Sequence, residues 1–253
     1  MTRRCARRAL LGLVGTTTGF IILVGVEVQL ARTGTNLPER DPHDLDSLVG
    51  AGRRGDTLVM VWLGDSTAAG VGATDAGRAV PRLVAAGLDR PVELVSLARS
   101  GARIDDLADD QLTRLAALDL DVDVVVISVG SNDVIHLAGR GEFRTRYREV
   151  IDGLPARSEV VLLGVPDLGG VPRFAQPLRA IAGWRGRMLD EDIANLALET
   201  GASYVDIEAE TGPAFRDDPG RFFAADDYHP NDAGYRLWAD AVLDVVREVV
   251  ARR

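Results

Sequence analysis

Five short apolar runs, separated by stretches with helical spacing, constrain the fold of this chain more than any other feature. The run Val122–Val129 is the strongest, with four β-branched residues in succession at Val124–Ile127. Continuous apolar runs of this length are typical of strands that are buried on both faces of a parallel sheet. The predicted strands are Leu58–Leu63, Val92–Leu97, Val122–Val129, Glu159–Leu163 and Ala202–Asp206.

A predicted helix lies between each pair of successive strands, and an amphipathic helix closes the chain. The helical stretches are Thr74–Leu88, Asp105–Leu118, Phe143–Leu154, Ala175–Glu199 and Ala233–Val250. This alternation predicts an α/β fold with a five-stranded parallel sheet, and right-handed crossovers make it a three-layer α/β/α sandwich. In such sheets the ligand site lies beyond the carboxyl ends of the strands.

The N-terminal segment has the pattern of a membrane-targeting sequence. Ala9–Val26 contains 18 residues without a charge and follows a stretch rich in arginine. A helix of that length reaches about 27 Å, close to the ~30 Å of a bilayer's hydrocarbon core. We favour an uncleaved signal anchor over a cleaved signal peptide, whose apolar region has only ~7–15 residues. Arg7-Arg8 offers a weaker resemblance to a twin-arginine export signal.

The predicted division of the chain into domains follows from this segment. We predict a basic region and apolar segment at residues 1–31, a linker rich in Pro, Gly, Asp and Arg at 32–55, and one globular domain at 56–253. The arginines before the apolar run stay in the cytoplasm by the positive-inside rule, so the domain is expected outside it, either anchored to the membrane or secreted.

Charge and cysteine content exclude several classes of function. The net charge is −9, and the basic residues at the N-terminus make the rest of the chain still more acidic. An acidic body argues against non-specific nucleic-acid binding, which needs clustered Lys and Arg. The single cysteine, Cys5, excludes an internal disulfide and a cysteine-based metal site.

Polar clusters follow the first three predicted strands, and another precedes the last helix. These clusters are Gly64-Asp65-Ser66, Ser100-Gly101, Gly130-Ser131-Asn132-Asp133 and Asp226-Asp227-Tyr228-His229-Pro230. Because the carboxyl ends of parallel strands meet at one edge of a sheet, we expect these distant segments to converge there.

A nucleophilic serine needs a base within hydrogen-bond reach, and the base needs an orienting partner. Ser66 is the candidate nucleophile. Of the three histidines, only His229 combines neighbouring carboxylates with a position before the final helix. Asp226 is the predicted orienting acid, since a tight turn can fold its carboxylate onto the ring, and Asp227 is the alternative. A histidine in this position, taken alone, is more often a surface or capping residue.

Acyl transfer also needs donors for the negative charge that develops on the carbonyl oxygen. The candidates are the Ser66 amide, which a following helix would favour, the Gly101 amide and the side-chain amide of Asn132. Each of Gly101 and Asn132, taken singly, is more simply explained as a turn residue.

Together the four clusters resemble the SGNH hydrolases, also called the GDSL esterase and lipase family. The residues that carry the resemblance are Ser66, Gly101, Asn132 and His229, in the family's order. Thr67 departs from the pattern, since many members have Leu at this position.

The resemblance implies a flavodoxin-like sandwich and a Ser-His-Asp triad formed by Ser66, His229 and Asp226. It implies hydrolysis of carboxylic esters through an acyl-enzyme, with Ser66, Gly101 and Asn132 forming the oxyanion hole. The family uses neither a metal nor a cofactor. Its substrates include lipid, carbohydrate and small aryl esters, and selectivity would come from loops beyond the strands, here Pro166–Pro177 and Thr211–Phe223. Pro166–Gly170 and Phe222-Phe223 could line an acyl pocket, but each of these residues, taken singly, is more simply explained as a turn or core residue.

Several alternatives remain open. The glycine-rich stretch Gly64–Gly72 could cradle a phosphate, but it lacks the Gly-Lys-Ser/Thr of a P-loop and the third glycine of a dinucleotide-binding motif. No serine stands in the Gly-x-Ser-x-Gly of an α/β-hydrolase elbow. An acyltransferase that uses the same triad on a sugar acceptor, and a non-catalytic binding module with the same fold, both fit the sequence.

Overall fold

In this computed structural model, residues 19, 22–31, 33–37 and 43–252 are described. Six strands form one sheet in the order β1-β3-β2-β4-β5-β6. The strands are β1 Ser47–Val49, β2 Leu58–Gly64, β3 Val92–Ser96, β4 Val124–Ser128, β5 Glu159–Leu163 and β6 Ser203–Val205. β2 to β6 run parallel, whereas β1 pairs antiparallel with β3 at the edge of the sheet.

Helices cover both faces of this sheet, which confirms the predicted three-layer α/β/α sandwich. The helices are α1 Val80–Gly87, α2 Ile104–Ala117, α3 Ser131–Ile135, α4 Arg140–Asp152, α5 Leu178–Thr200, α6 Ile207–Asp217, α7 Pro219–Phe222 and α8 Asp232–Ala251. Within α2, residues Leu107–Gln111 form a π-helical turn.

The core lies on both faces of the central strands. Every residue of β4 is buried, and so is every residue of β2 except the half-buried Val59. Because a parallel sheet is covered on both sides, its strands gain most by being apolar throughout. This burial explains why the continuous apolar runs identified these two strands so clearly.

β1 is the element that the sequence did not indicate. It lies within residues 32–55, the predicted linker, and it extends the sheet from five strands to six. Leu45 is buried in the core beside it, and the Asp46 carboxylate accepts a hydrogen bond from the Ser96 amide at 2.8 Å. A strand of three residues has no periodicity of its own; it forms here because β3 offers an open edge.

Two local expectations were wrong. Residues Thr211–Phe223 are not a loop but belong largely to α6 and α7, since the Asp206 side chain caps α6 by accepting from the Ala209 amide at 2.8 Å. A proline inside a helix costs a backbone hydrogen bond, yet α6 keeps Pro213 because its apolar face, with Phe215, is buried. No helix begins at Ser66 either, since consecutive turns fill residues 66–72.

The predicted membrane segment Ala9–Val26 lies mostly outside the described residues. Its end belongs to a helix over residues 22–31. This N-terminal helix leaves Ile22, Leu23, Val26 and Leu30 exposed. Among the described residues, no helix combines the length and the apolar character that crossing a bilayer requires.

Candidate active site

Ser66, His229 and Asp226 form a continuous chain of hydrogen bonds at the carboxyl edge of the sheet. The Ser66 hydroxyl lies 3.0 Å from Nε2 of His229, and Nδ1 of the same ring lies 2.6 Å from Oδ2 of Asp226. A neutral imidazole with its proton on Nδ1 satisfies both contacts, because it donates to the carboxylate and accepts from the hydroxyl. Sequence reasoning selected these three residues, and the fold brings them together across 163 positions of the chain.

The loop that carries His229, residues 224–231, is held mainly by Asp226 and is called the base loop below. Oδ1 of Asp226 accepts hydrogen bonds from the amides of Tyr228 at 3.2 Å and His229 at 3.1 Å. Burial raises the pKa of Asp226, but the hydrogen bonds and charge of His229 outweigh it and leave the pKa below its usual value. Asp227, the alternative orienting acid, is exposed and makes no side-chain contact with His229 among the described residues.

The other two histidines lie away from this chain of hydrogen bonds. Nε2 of His43 is 3.2 Å from the Ala73 carbonyl, and Nδ1 of His136 is 2.8 Å from the Asn132 carbonyl. Both contacts are with backbone oxygens, so neither ring is placed to accept the Ser66 proton.

Gln111 fixes the segment that carries Ser66, residues 64–72, which is called the nucleophile turn below. Its side chain is fully buried, accepts from the Gly64 amide at 2.8 Å and donates to the Gly64 carbonyl at 2.9 Å. Gly64 has φ +148°, and a Cβ at this position would lie 2.1 Å from the Ser128 carbonyl oxygen. Only glycine fits there. Sequence reasoning missed Gln111, since nothing in the helical pattern of α2 marks a glutamine that faces a strand end.

Asp65 is a buried carboxylate that shapes the nucleophile turn from within. It accepts from the Thr67 amide at 2.9 Å and from the Thr67 hydroxyl at 2.8 Å, and that hydroxyl also lies 3.0 Å from the Ser128 hydroxyl. Burial raises the pKa of Asp65 despite these hydrogen bonds and the nearby His229. Thr67, which departs from the family pattern, therefore has a clear structural role here.

The two loops meet at Gly72. This glycine has φ +99°, and a Cβ here would lie 2.3 Å from the Pro230 carbonyl oxygen and 3.2 Å from Cβ of His229. Next to it, the Thr74 amide and hydroxyl donate to Asp232, at the start of α8, at 2.8 and 2.7 Å. Gly64, Gly70 and Gly72 thus each allow a close approach within the protein, against Ser128, Ala79 and the base loop respectively, which accounts for these glycines without a phosphate.

The predicted oxyanion donors belong to three separate segments. Gly101 lies exposed in a turn with φ +80°, and the Asn132 side chain donates to the Ala102 carbonyl at 3.0 Å. Asn132 has two N–H groups, so one remains beside this contact. Within the described part of the chain, the amides of Ser66 and Gly101 donate to no other protein group.

Asp133 connects the segment of Asn132 with the turn that contains Gly101. Its buried carboxylate lies 3.2 and 3.3 Å from the Ile104 amide, which begins α2 two residues after Ala102. Burial raises the pKa of Asp133 to about 7, and the nearby Asp65 adds to this effect, while the Ile104 hydrogen bond opposes it. Asp133 is thus a second supporting residue that motif reasoning did not assign.

An apolar pocket opens beside Ser66 and His229. Its empty space is about 510 Å³, including the part open to solvent. The apolar lining includes Leu168, Val171, Phe215, Phe223 and Trp238. Of the expected lining residues, Pro166, Asp167, Leu168 and Phe223 are found there, and Gly169, Gly170 and Phe222 are not. Phe215, within the predicted selectivity segment Thr211–Phe223, and Trp238 of α8 were not singled out from the sequence. Among the described residues, no cluster of His, Cys, Asp or Glu could hold a metal ion.

The sequence of residues 62–237 matches the GDSL-like lipase/acylhydrolase family. The chain belongs to this family. The match spans the nucleophile turn, the Gly101 and Asn132 segments and the base loop, which are the clusters that first suggested the resemblance.

A curated relative agrees with this membership, and solved structures share the fold. The GDSL-like esterase Rv1075c of Mycobacterium tuberculosis is 32% identical over 203 residues, which cover 78% of this chain and 64% of that protein. The chain thus spans a little under two thirds of the relative. A lipolytic G-D-S-L family protein from Veillonella parvula has a TM-score of 0.62 and 18% identity, over 75% of this chain and 98% of that one. Phospholipase A1 from Streptomyces albidoflavus has a TM-score of 0.55 and 22% identity, over 75% and 98%. These structural likenesses show the fold alone.

Proposed function

We propose that this protein is a serine hydrolase that cleaves carboxylic esters through an acyl-enzyme. Ser66 is the nucleophile, His229 the general base and acid, and Asp226 the residue that orients the ring. The observation that carries the proposal is the chain of hydrogen bonds of 3.0 and 2.6 Å from Ser66 through His229 to Asp226. Nucleophile, base and orienting group in hydrogen-bond contact are the geometric signature of this chemistry.

Each step of the proposed reaction includes a proton transfer through Nε2 of His229. Nε2 of His229 takes the proton of the Ser66 hydroxyl while Oγ bonds to the ester carbonyl carbon. The tetrahedral intermediate then expels the alcohol, which receives that proton from His229. A water molecule, deprotonated by the same nitrogen, attacks the acyl-enzyme, and the carboxylic acid leaves as Ser66 regains its proton. The negative charge of Asp226 stabilises the imidazolium in both halves of the reaction.

The oxyanion in each tetrahedral intermediate would be bound by the amides of Ser66 and Gly101 and by the side-chain amide of Asn132. The two backbone amides have no other acceptor among the described residues, and Asn132 keeps one N–H beside its contact with Ala102. One preorganised donor of this kind is worth about 10²–10³-fold in kcat. Asp133 supports the arrangement because it holds the start of α2 next to the Gly101 turn.

The substrate class we propose is an ester whose acyl group enters the apolar pocket, from a lipid, a carbohydrate or a small alcohol. Phe215, Phe223 and Trp238 make this pocket suited to hydrocarbon rather than to a charged group. The names of two similar proteins, a GDSL-like esterase and a phospholipase A1, support ester chemistry.

We further propose that the domain works outside the cytoplasm, anchored by the apolar run Ala9–Val26 or secreted. The uncharged run Ala9–Val26, which follows an arginine-rich stretch, supports this. Glu27 is buried against the protein, while the outward face of the N-terminal helix carries Ile22, Val26 and Leu30. The full-length protein should stay with the membrane after washing in alkaline carbonate; release into the wash would contradict an anchor.

The catalytic proposal is tested with the full chain, its Ser66→Ala variant and p-nitrophenyl esters of increasing acyl length. We expect hydrolysis by the wild type and a loss of about 10⁴-fold or more in kcat for Ser66→Ala. A fluorophosphonate probe should label the wild type and not the variant. The matched control is Ser158→Ala, since the Ser158 hydroxyl donates to the Pro155 carbonyl in the turn before β5. Equal turnover or equal labelling of wild type and Ser66→Ala would overturn the proposal.

A further inference from the structure

Arg173 joins three parts of the molecule that are far apart in the sequence. It lies in the segment between β5 and α5, and its Nε donates to the Ala31 carbonyl at 2.7 Å. Nη2 donates to the Asn36 side chain at 2.8 Å, and Nη1 donates to the Thr35 carbonyl. The same Nη1 donates to the carbonyl of Asp226 at 3.1 Å. One guanidinium therefore connects the described residues 22–31 and 33–37, called the N-terminal segment below, to the base loop.

The backbone of Arg173 adds another contact with the base loop, since its amide donates to the Asp227 carbonyl at 3.1 Å. Two consecutive carbonyls of the base loop, those of Asp226 and Asp227, are thus held by one residue. Asp226 is the residue whose carboxylate meets His229, so its backbone position decides whether that hydrogen bond can form. A planar guanidinium with five N–H donors is suited to holding several backbone oxygens at once.

Glu27 provides a second attachment for the N-terminal segment. It is 6% exposed, and its Oε2 accepts from the Leu178 amide, at the first residue of α5, at 2.8 Å. The first amides of a helix lack partners within the helix and favour a negative charge. Val24, Val28 and Ala31 are half-buried on the same helical face as Glu27. This spacing of three and four residues is that of a helix packed along one side.

The residues on either side of Arg173 pack towards the reacting groups. Phe174, next to Arg173, has its ring 5.8 Å from that of Tyr228, and the Tyr228 ring lies 4.8 Å from the imidazole of His229. Val171, two residues before Arg173, lines the apolar pocket. The segment that Arg173 holds therefore contacts both the base loop and the proposed acyl site.

We propose that Arg173 is a positioning residue for the Asp226–His229 pair, and that the N-terminal segment acts through it as an intramolecular clamp on the base loop. Without the guanidinium, the Asp226 carbonyl loses its donor and the base loop can shift relative to Ser66. A misplacement of about 1 Å at reacting groups costs on the order of 10²-fold in rate. The inference rests on the proposed ester hydrolysis for its kinetic readout.

The test uses the full-length protein in detergent with Arg173→Ala, Asn36→Ala and the double variant. We expect Arg173→Ala to lower kcat by about 10–100-fold, with KM changed by less than about threefold. Asn36→Ala should cause a smaller loss in kcat. The double variant should fall no further than Arg173→Ala alone, because both changes act on one connection. Arg148→Ala, which removes surface ion pairs with Asp152 on α4 and Glu199 on α5, is the matched control and should behave as the wild type.

A second readout does not depend on turnover. The proton between Nδ1 of His229 and Asp226 should give a far-downfield NMR signal in the wild type and in Arg148→Ala, and this signal should shift or disappear in Arg173→Ala. If the wild type hydrolyses no ester, the proposed function fails while this signal still tests the clamp. If Arg173→Ala does not fold, Arg173→Lys, which keeps the charge but not the fork of donors, and Asn36→Ala take its place.

Three results would overturn the inference. One is an Arg173→Ala variant with kcat within about twofold of the wild type and an unchanged NMR signal. Another is an effect confined to KM, which would assign Arg173 to substrate binding rather than to positioning. The third is a double variant whose losses multiply, which would mean that the N-terminal segment does not act through Arg173.

Discussion

The nucleophile turn and the base loop present Ser66 and His229 to each other, yet they are held in different ways. The nucleophile turn is tied to the core: Gln111 binds both backbone groups of Gly64, and the Asp65 amide donates to the Ser128 carbonyl at 3.0 Å. The base loop closes mainly on itself, through Asp226 and an Ala224 amide that donates to the His229 carbonyl at 2.8 Å. Its further support comes from Arg173, at the surface.

The pKa values of the buried carboxylates also differ between the two regions. In the base loop, His229 keeps the pKa of Asp226 below its usual value, so this group stays charged. On the nucleophile side, burial raises the pKa of Asp65, and it raises that of Asp133 to about 7. We therefore expect changes in the base loop to affect mainly turnover, whereas changes to the residues that support the nucleophile turn, such as Gln111, should affect mainly the stability of the fold.

The largest expected effect is that of Asp226→Asn on turnover. An Asn side chain can still accept from the amides of Tyr228 and His229, but it presents an N–H to Nδ1 and favours the wrong tautomer of the ring. We expect kcat to fall by about 10⁴-fold. Steady-state kinetics with a p-nitrophenyl ester and a thermal melt of the same sample measure both quantities, and the melting temperature should change little.

Asp227→Asn is the control for this change, since it alters the neighbouring exposed carboxylate. It should leave kcat within a few-fold of the wild type. If Asp227→Asn were the variant that lost turnover, the orienting role of Asp226 would be wrong and the two residues would exchange roles.

The next effect is a pH dependence of stability caused by Asp133. Its pKa is about 7 in the folded protein against 3.8 for an unperturbed Asp, so the folded state binds the proton more tightly. The stabilisation is complete below about pH 4 and is lost as the pH rises to about 7, at up to ~1.4 kcal/mol per pH unit. Asp133→Asn cannot titrate, so the free energy of unfolding of the wild type, relative to this variant, should fall by a few kcal/mol across that window. Urea titrations at each pH measure the difference, and two parallel curves would contradict the assigned cause.

The smallest expected effect is that of Gln111→Leu on stability, which tests how the nucleophile turn is held. Leu leaves the Gly64 amide buried without its acceptor, at a cost of about 1–3 kcal/mol in the free energy of unfolding. The folded fraction should still hydrolyse ester, because the contacts of His229 are untouched. Thr113→Ala, on the exposed side of α2, should stay within about 0.5 kcal/mol of the wild type. A Gln111→Leu variant as stable as this control would show that Gly64 needs no such partner.

Most of the sheet and the candidate site could be predicted because their signals are local. β2 and β4 are short apolar runs, and Ser66, Asn132 and His229 stand in recognisable motifs at strand ends. β1 and α6 were missed for the opposite reason. The three residues of β1, which pair at an open edge, carry no periodicity. The Gly212-Pro213 sequence inside α6 is typical of a loop, and only the burial of Phe215 indicates a packed helical face.

The layered α/β/α fold and the residues that meet at the carboxyl edge could both be predicted from the amino-acid sequence. Alternating apolar runs and motifs at their ends are properties of short stretches, and parallel strands bring those ends together. The contacts that hold these residues in place could be seen only in the folded protein: Gln111 on Gly64, Asp133 on the start of α2, and Arg173 between the N-terminal segment and the base loop. These contacts join residues between 29 and 142 positions apart, and each depends on a single polar side chain whose partner is a backbone group of a distant segment. Such a pairing leaves no pattern in the sequence, because a polar residue with a distant backbone partner cannot be distinguished there from an ordinary surface residue.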